Sequence, residues 1–464
     1  MAKGIIRLFL NPVCSLRLSG SIDLPMVFPS GKDVKVMTYK ESLEYLDNLC
    51  KFGINLGLAR IEKLLELMDH PEQKFKTIHV TGTNGKGSTT AMLASILKAA
   101  GIKTGMYTSP HLVSYTERMM IDGQEVSPSQ FAEAIEYTSQ FIDQIVSLEL
   151  GQPTEFEVLT AAAFHYFALH KVEYAVIEVG LGGLLDSTNV ILPQVTVITN
   201  VSLDHIDKCG KTIIDIARHK AGIIKPGVPL ITAAQGEALH VIRQVAEEKS
   251  AKIYSDGQDF SAQFAGRMAH GQKVAFRAEE QDVGETFILN LLGYHQVDNC
   301  AVAVMTALVL AEKDQRLTRS ALRTGLLEVC WPGRFEVIPG LTTIIIDGAH
   351  NQAGAKALRK NLDEFYGDRG IVFLLGILQD KDVTSIVTEL ISSADQVVVV
   401  APVSQRAGLP QDIAREIRNA RHIETADSIM AGLERTRILA GVNGVICIAG
   451  SLYLIGAARG IICK

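Results

Sequence analysis

The sequence predicts an α/β protein of two domains, each built on a mostly parallel sheet with helices on both faces. Residues 174–177 and 195–199 are apolar runs without polar alternation, which is typical of parallel strands buried on both faces. Helical patterns fall between such runs, so we expect crossover helices that connect parallel strands. The chain has 464 residues, more than one ordinary hydrophobic core organises, and this length favours two domains.

Composition narrows the class of protein. Hydrophobic residues make up 47% and charged residues 21% of the chain, as in soluble globular enzymes. A formal net charge of -6 argues against a general nucleic-acid binder, although it leaves room for a basic groove. The 7 cysteines include no C-x-x-C pair, which favours reduced thiols in a cytoplasm and no zinc site. No apolar run approaches the roughly 20 residues that span a bilayer. We therefore expect a cytoplasmic protein with no nucleic-acid or membrane partner. We also expect it to be a monomer.

Residues 1–36 fit the rest of the chain poorly. Lys3, Arg7 and Arg17 precede the first acid, Asp23, and surround a short apolar patch, so a targeting peptide has to be considered. The patch is interrupted by an Asn-Pro pair, and no small-residue cleavage site stands out. We interpret the segment as an extension without a catalytic role, translated from upstream of a true start at Met37, and expect its deletion to leave activity intact.

The first predicted domain spans residues 37–330. Apolar residues at helical spacing, from Leu43 to Leu49 and from Ile61 to Leu67, predict two opening helices joined by a loop over residues 53–57. Apolar and polar residues alternate over residues 260–289, and glycines occur among them. This pattern indicates a small antiparallel sheet. A helix over residues 296–312 closes the domain. Ligands of such a sheet bind at the carboxyl ends of its strands.

The second predicted domain spans residues 340–464 and follows a linker over residues 331–339. Apolar strands are predicted at 343–346, 371–375, 397–400 and 445–448, with helical stretches between them. This alternation predicts a smaller Rossmann-like sheet. The helical pattern stops near Trp331, and Pro332 and Gly333 follow it. We expect a hinge here that lets the second domain close on the first.

A glycine-rich stretch, residues 80–88, organises the first domain. It follows an apolar run and precedes a helical pattern over residues 89–100, so a strand, a turn and a helix N-terminus succeed one another. That order predicts a phosphate site in which backbone N–H groups, the helix dipole and Lys86 face the anion. The N–H groups are those of Asn84, Gly85, Gly87 and Ser88. The spacing differs from a strict Walker A loop because Gly87 separates Lys86 from Ser88, and a tight turn with a surface lysine is the alternative.

Polar residues follow three of the predicted strands. Ser109, Glu178 and the pair Asp204-His205 stand at strand ends, where a ligand crevice is expected. A carboxylate such as Glu178 at the end of an apolar strand is costly to bury without a partner, which favours a functional role. His205 in isolation is equally compatible with an ordinary, satisfied polar group.

Together these motifs resemble the folylpolyglutamate synthase/dihydrofolate synthase family of the Mur ligase superfamily. The resemblance covers nearly everything after Met37. It is carried by the loop at 80–88 and by further blocks in the family's order, at residues 108–112, 178–183, 204–205, 219–223, 332–334 and 347–351.

This resemblance implies an ATP-dependent amide ligase. ATP would phosphorylate the carboxylate of a folate, and the amine of L-glutamate would attack the acyl phosphate. With dihydropteroate as acceptor the product is dihydrofolate, and with tetrahydrofolate it is a γ-linked polyglutamate; the motifs fit both reactions. A Mur-type peptidoglycan-precursor ligase is an alternative, disfavoured by the Gly87 insertion in the loop. A non-catalytic ATP-binding switch is another, disfavoured because nucleotide binding alone does not need Glu178, His205 and Lys220 together.

The resemblance also implies roles for particular residues. Mg²⁺ would be held by Ser109, Glu178 and His205, and catalysis would rest on Lys86, His205 and Lys220. The matching family lysine is carbamylated, which implies the same modification for Lys220; from the residues alone, an unmodified ammonium is favoured. A requirement for a second cation such as K⁺ stays open. Besides the loop residues Asn84, Gly85, Lys86, Gly87 and Ser88, the ATP site would include Asn299, Arg334, Asp347 and His350.

On the folate side, the resemblance implies Leu58, Arg60, Phe156, Glu157 and Gly183. An aromatic ring at Phe156 could stack on a flat heterocycle, and core packing is an equal alternative. One position departs from the family: bacterial members usually have arginine after the paired glycines, where this chain has Leu184. The missing charge puts in doubt how tightly the substrate's acidic end is held and whether both reactions occur.

Overall fold

The computed structural model describes residues 37–463 except residues 52, 54, 205, 269, 281 and 368, with no account of the side chains of residues 206 and 207. The prediction for residues 1–36 therefore lies outside the described residues. From Met37 onward the chain forms one compact unit that contains three sheets.

The largest sheet has eight strands in the order β4-β3-β2-β5-β1-β6-β7-β8. The strands from β2 through β8 in this order run parallel, whereas β3 and β4 form an antiparallel edge. The bounds are β1 (Lys76–Thr81), β2 (Thr104–Tyr107), β3 (Met119–Ile121), β4 (Gln124–Glu125), β5 (Tyr174–Glu178), β6 (Val195–Ile198), β7 (Leu230–Thr232) and β8 (Ile253–Ser255). The central strands β1, β5 and β6 are buried almost throughout. For β5 and β6 this burial agrees with their mainly apolar sequences.

Helices cover both faces of this sheet. They are α1 (Tyr39–Cys50), α2 (Ala59–Leu67), α3 (Lys86–Ala99), α4 (Pro128–Ser139), α5 (Ile142–Ser147), α6 (Glu155–Leu169), α7 (Ile206–Cys209), α8 (Ile213–Ala221), α9 (Gly236–Glu248), α10 (Tyr294–Ala311) and α11 (Arg319–Glu328). Helices α3 and α10 pack in one core cluster, and α1, α2 and α6 pack in another. Short 3-10 helices lie at Pro71–Gln73, Tyr115–Arg118 and Ser187–Val190.

Two predicted helix starts need correction. Helix α3 begins at Lys86 instead of residue 89, because Gly85 is the N-cap and adopts a left-handed φ of 84°. Helix α10 begins at Tyr294 instead of residue 296. In both cases a glycine ends the preceding loop, and the helix starts directly after it.

The predicted antiparallel sheet is present and has three strands in the order β11-β10-β9. Its strands are β9 (Phe260–Arg267), β10 (Gln272–Ala278) and β11 (Val283–Leu289). Every pairing in it is antiparallel. Phe260, Phe276 and Phe287 on its inner face join the core cluster that contains α3 and α10.

The third sheet has the order β12-β13-β17-β14-β15-β16. It comprises β12 (Glu336–Ile338), β13 (Thr343–Ile346), β14 (Val372–Leu375), β15 (Gln396–Val399), β16 (His422–Thr425) and β17 (Val445–Ala449), with helices α12 (Gln352–Tyr366), α13 (Val383–Leu390), α14 (Pro410–Glu416), α15 (Ile429–Ala440) and α16 (Leu452–Ile462). All pairings are parallel except that of β12 with β13.

Strand β12 lies inside the segment that was predicted to be a linker. It pairs antiparallel with β13, so residues 336–338 belong to the third sheet. Three residues are too few to produce a periodic pattern, which is why the sequence does not reveal the strand. The domain boundaries otherwise stay a prediction. Within the described part of the chain, no helix has the length and apolar character needed to cross a membrane.

Candidate active site

The phosphate loop lies between β1 and α3, at the carboxyl end of the large sheet. Two of its glycines are required by geometry. Gly82 has a φ of 153°, and a Cβ there would lie 1.9 Å from Thr199 Oγ1. Gly85 has a φ of 84°, and its Cβ would lie 2.1 Å from Asn299 Oδ1. Any larger residue would meet both backbone strain and a collision, so neighbouring polar side chains fix the path of the loop.

Hydrogen bonds from the end of β6 hold the middle of this loop. The N–H of Asn84 donates to Asn200 Oδ1 at 2.9 Å. In return, Thr199 Oγ1 and Asn200 Nδ2 donate to the carbonyl oxygen of Asn84 at 2.6 and 3.0 Å. These hydrogen bonds fix the path of the loop, and the first N–H groups of α3, which have no partner within the helix, can bind an anion.

Lys86 stands at the first position of α3. Its Nζ donates to the carbonyl oxygens of Gly82 and Thr83, both at 3.1 Å. The side chain is thus folded back over its own loop, bound to neutral acceptors. A phosphate oxygen would be a stronger partner for this ammonium, because hydrogen bonds between two ionised groups are stronger than those to a carbonyl.

Helix α10 supports the loop from the other side. Gln296 Nε2 donates to Ser88 Oγ at 3.2 Å, and Asn299 Nδ2 donates to Gln296 Oε1 at 3.0 Å. Gln296 is completely buried. Sequence reasoning missed this glutamine, since it is far from Ser88 along the chain; the one available signal was a pair of amides in an otherwise apolar helix.

A cavity of about 610 Å³ lies over the loop, between the large sheet and the third, six-stranded sheet. It brings together most of the predicted nucleotide and metal residues. Those that line it are Asn84, Gly85, Lys86, Gly87, Ser88, Ser109, Glu178, Asn299, Arg334, Asp347 and His350. Their proximity agrees with one shared site, whereas their individual roles stay predictions.

Glu178 ends β5 at the floor of this cavity. Its side chain is buried, with 4% of the residue exposed. Its Oε2 accepts a hydrogen bond from the N–H of Ser109 at 3.3 Å. Burial raises the pKa of Glu178 to about 7, while the nearby charges of Lys86 and Arg334 act in the opposite direction. A divalent cation would relieve this desolvated carboxylate, so the site fits a metal that prefers oxygen ligands.

Within the described residues, no three histidine, cysteine, aspartate or glutamate side chains are close enough to hold a metal by themselves. A cation at Glu178 would therefore take further ligands of other types, such as the hydroxyl of Ser109, phosphate oxygens and water. The predicted ligand His205 lies outside the described residues.

Asp204, the residue before His205, connects the large sheet's domain to the third sheet's domain. Asp204 Oδ1 accepts from Lys381 Nζ at 2.9 Å, and Oδ2 accepts from Asn351 Nδ2 at 3.0 Å. Lys381 follows β14, and Asn351 caps α12. Asn351 Nδ2 also lies 3.2 Å from Asn84 Oδ1 in the phosphate loop. Sequence reasoning missed Lys381 because no local pattern marks a contact between such distant residues.

Lys220 lies just behind the phosphate loop, on α8. Its Nζ donates to the carbonyl oxygen of Gly82 at 2.7 Å, and 6% of the residue is exposed. Burial, and second to it the positive charge of Lys86, lower the pKa of this amine to about 7. Near neutral pH the amine therefore loses its proton far more readily than an ordinary lysine, which has a pKa of about 10.4.

On the opposite wall, Arg334 lies flat against the turn that precedes α12. A Cβ on Gly348 would lie 2.0 Å from Arg334 Nη1, so only glycine admits the guanidinium here. Arg334 Nη1 also donates to the carbonyl oxygen of Gly333 at 3.2 Å, and that oxygen accepts the N–H of Gly348 at 2.9 Å. The guanidinium is thus held at the edge of the cavity.

Asp347 and His350 shape the same turn. The two oxygens of Asp347 accept the N–H groups of Phe335 and Ala349, each at 2.8 Å. Nδ1 of His350 lies 2.8 Å from the carbonyl oxygen of Gly348, which assigns the proton to Nδ1. Burial lowers the pKa of His350 to about 4, so it is neutral at pH 7 and presents Nε2 as an acceptor.

Two predicted folate residues pair with each other. Arg60 Nε donates to Glu157 Oε2 at 3.1 Å, and Arg60 Nη2 donates to the carbonyl oxygen of Asn55 at 2.5 Å. Glu157 also accepts from the N–H and Oγ1 of Thr154, forming the capping box of α6. This buried pair joins α2 to α6, and neither residue is among those that line the cavity.

The other folate predictions fall beside the glycine turn after β5. A Cβ on Gly180 would lie 2.4 Å from Phe156 Cζ, so the phenyl ring packs beneath this turn. Gly183 approaches the carbonyl oxygens of His219 and Lys220. Leu184, which stands where bacterial members of the family usually have arginine, is 47% exposed. Leu58 precedes α2 and is half-buried. Their roles toward a folate stay predictions.

Comparison with known proteins identifies two family matches along the chain. Residues 80–307 match the Mur ligase middle domain, and residues 333–452 match the Mur ligase glutamate ligase domain. The chain is similar to a dihydrofolate synthase/folylpolyglutamate synthase of Bacillus subtilis, with 36% identity over 426 residues that cover 91% of this chain and 98% of the relative.

Solved structures are similar over nearly the same length. Folylpolyglutamate synthase of Mycobacterium tuberculosis, complexed with ADP and AMPPCP, aligns with a TM-score of 0.84 and 33% identity, covering 92% of this chain and 99% of that one. Escherichia coli FolC, in complex with DHPP and ADP, aligns with a TM-score of 0.81 and 27% identity, covering 92% of this chain and 98% of that one.

Proposed function

The chain belongs to the folylpolyglutamate synthase/dihydrofolate synthase family, and we propose that it joins L-glutamate both to tetrahydrofolate and to dihydropteroate at the cavity over its phosphate loop. It is an ATP-dependent ligase of the Mur superfamily. The single observation that carries the site assignment is the convergence of Lys86, Glu178 and Arg334 on one cavity, from the loop, the sheet and the linker.

The phosphate loop would hold the triphosphate. Support comes from the ordered turn at Gly82 and Gly85, the N-terminal N–H groups of α3, and the ammonium of Lys86. On binding, Lys86 would exchange two carbonyl acceptors for phosphate oxygens. Asn299, next to Gly85, and the turn at Asp347 and His350 would hold the nucleoside part.

Glu178, Ser109 and His205 would hold Mg²⁺. Support comes from the buried carboxylate beside Ser109, which suits a hard cation. When bound, Mg²⁺ neutralises charge on the phosphates that react. Lys220 would carry a carbamate, formed when its neutral amine attacks carbon dioxide and loses a proton. The buried amine with a pKa near neutrality supports this assignment, since only the unprotonated amine is nucleophilic. A carbamate would supply a further oxygen ligand.

The reaction needs positioning more than covalent help from the protein. A substrate carboxylate oxygen attacks the γ-phosphorus, the bond to the β-phosphate oxygen breaks, and ADP leaves. The amine nitrogen of glutamate then attacks the acyl carbon, phosphate leaves with the bonding oxygen, and the nitrogen loses a proton. Asp204, Lys381 and Asn351 would keep the cavity closed, because they join its two walls.

An assay of ADP release tests the proposal. The enzyme receives Mg-ATP and L-glutamate with either dihydropteroate or tetrahydrofolate, and each component is omitted in turn. We expect ADP release only in complete mixtures, with both acceptors active. Repeating the assay with and without K⁺ decides whether a second cation is needed. ADP release that is independent of any folate would contradict the ligase assignment. Size-exclusion chromatography with light scattering tests the expected monomer.

A further inference from the structure

The chain contains 1 tryptophan, and its indole lies against the phosphate loop. Trp331 belongs to the segment between α11 and β12, yet a Cβ on Gly87 would lie 3.0 Å from its Nε1 and Cζ2 atoms and 3.2 Å from Cε2. Three ring atoms therefore cover the Gly87 Cα. Gly87 is the glycine that separates Lys86 from Ser88 in the loop.

The backbone does not require a glycine at this position. Gly87 lies in the first turn of α3 and is not among the glycines with positive φ. In a helix, alanine is more favourable than glycine by about 1 kcal/mol. The indole is the neighbour that a side chain at this position would meet, and a Cβ would require the ring to shift by a few tenths of an ångström.

The same segment reaches the opposite wall of the cavity two residues later. The carbonyl oxygen of Gly333 accepts the N–H of Gly348 at 2.9 Å, and Arg334 lies against Gly348. Residues 331–334 therefore contact the phosphate loop at one end and the turn before α12 at the other. An indole is a rigid ring with few rotatable bonds, so a shift of either contact is transmitted to the other.

We propose that Trp331 is a positioning residue, which holds Gly87 and the first turn of α3 in register with Arg334 so that both walls engage the same triphosphate. The inference rests on the proposed function, because it presumes that the loop binds ATP. Trp331 is not among the residues lining the cavity, so it acts through the backbone of Gly87 and not by touching the nucleotide.

Fluorescence tests the coupling in the unmodified protein. Since the chain has 1 tryptophan, fluorescence excited at the long-wavelength edge of indole absorption reports Trp331 alone. We expect AMPPCP with Mg²⁺ to change this emission with the same dissociation constant that calorimetry gives. If calorimetry detects no binding, the ATP site itself is wrong. If calorimetry detects binding and the emission stays constant, the loop moves independently of Trp331 and the inference fails.

A pair of substitutions tests positioning directly. Gly87→Ala shifts the ring by a few tenths of an ångström, and we expect kcat/KM for ATP to fall about tenfold, within the range of contacts that couple. Trp331→Leu should lower kcat more than it raises KM, and Trp331→Phe should restore most of the loss. In the double variant Gly87→Ala with Trp331→Leu, the new methyl group has room, so the losses should not add and activity should exceed that of Gly87→Ala alone.

A matched control uses the same geometry elsewhere. A Cβ on Gly105 would lie 3.0 Å from a ring atom of Phe167, in the core beneath β2. Gly105→Ala combined with Trp331→Leu should show additive losses, because the sites share no contact. Thermal melting of every variant separates lost stability from lost activity. Additive losses for the Gly87 and Trp331 pair as well would overturn the inference.

Discussion

The Nζ atom of Lys220 donates a hydrogen bond to the carbonyl oxygen of Gly82 at 2.7 Å, which joins helix α8 to the start of the phosphate loop. Because the amine is buried with a pKa of about 7, we expect it to be carbamylated in the active enzyme. Lys220→Ala should lose most activity, and Lys220→Arg should not recover it, since arginine keeps the charge without forming a carbamate.

A readout independent of turnover checks the modification. In ¹³C-bicarbonate, the protein should show a carbamate carbon resonance that is absent from Lys220→Ala. Full activity of Lys220→Arg, or an active enzyme whose lysine carries no such carbon, would establish the unmodified ammonium instead.

Lys86→Ala should abolish turnover while the protein stays folded. Within the part of the chain that the structure describes, its ammonium is hydrogen-bonded to two loop carbonyls at the cavity edge, so it contributes charge to a ligand and little packing. Loss of a charged contact in the transition state should cost about 2.7–4 kcal/mol, by analogy with oxyanion-hole donors. Lys98→Ala, an exposed lysine near the end of the same helix, is the matched control and should retain normal kcat. Near-normal turnover of Lys86→Ala would refute the role.

The raised pKa of Glu178 makes stability depend on pH in a defined direction. Its ordinary value is 4.5 and the folded value is about 7, so between these limits the folded state binds the extra proton. The free energy of unfolding should therefore fall as pH rises through this window, by about 3 kcal/mol for this group. Denaturant titrations in chelator should show this fall in wild-type protein relative to Glu178→Gln, which cannot ionise. Saturating Mg-AMPPCP should reduce it, and equal slopes for both proteins would contradict the assignment.

Arg334→Ala should impair kcat at least as much as it raises the KM for ATP. The guanidinium is held at the junction of linker and turn, against Gly348 and Gly333, where closure of the cavity would bring it to the triphosphate. Steady-state kinetics separate the two effects. Arg435→Ala, in which an exposed arginine of α15 loses its partner Glu424, is the control and should leave both parameters unchanged. A pure KM effect at Arg334 would indicate a static contact.

Local patterns were sufficient for the elements that carry long signals. The runs at β5 and β6 are mainly apolar because both faces of these strands are covered by helices, and the glycine loop stands out because its backbone path excludes side chains. The strands β12 and β3 have three residues each and β4 has two, so no period can develop in them.

Contacts between distant residues left no comparable trace in the sequence. Lys381 reaches Asp204 across the cavity, and Gln296 reaches the hydroxyl of Ser88 from another helix. Each depends on how the sheets and helices pack, which single positions do not encode. The pairing of Arg60 with Glu157 is a further contact of this kind. Both residues were predicted to bind a folate, and that role stays a prediction.

Transfer of oxygen from substrate to phosphate tests the central claim most directly. The acceptor, dihydropteroate or tetrahydrofolate, is prepared with ¹⁸O in its carboxylate and incubated with enzyme, Mg-ATP and L-glutamate. If the carboxylate attacks the γ-phosphorus and glutamate then displaces phosphate, mass spectrometry should find ¹⁸O in the inorganic phosphate, in step with formation of the glutamyl amide. Unlabelled phosphate accompanying ADP release, or label without any amide product, would contradict an ATP-dependent folate–glutamate ligase.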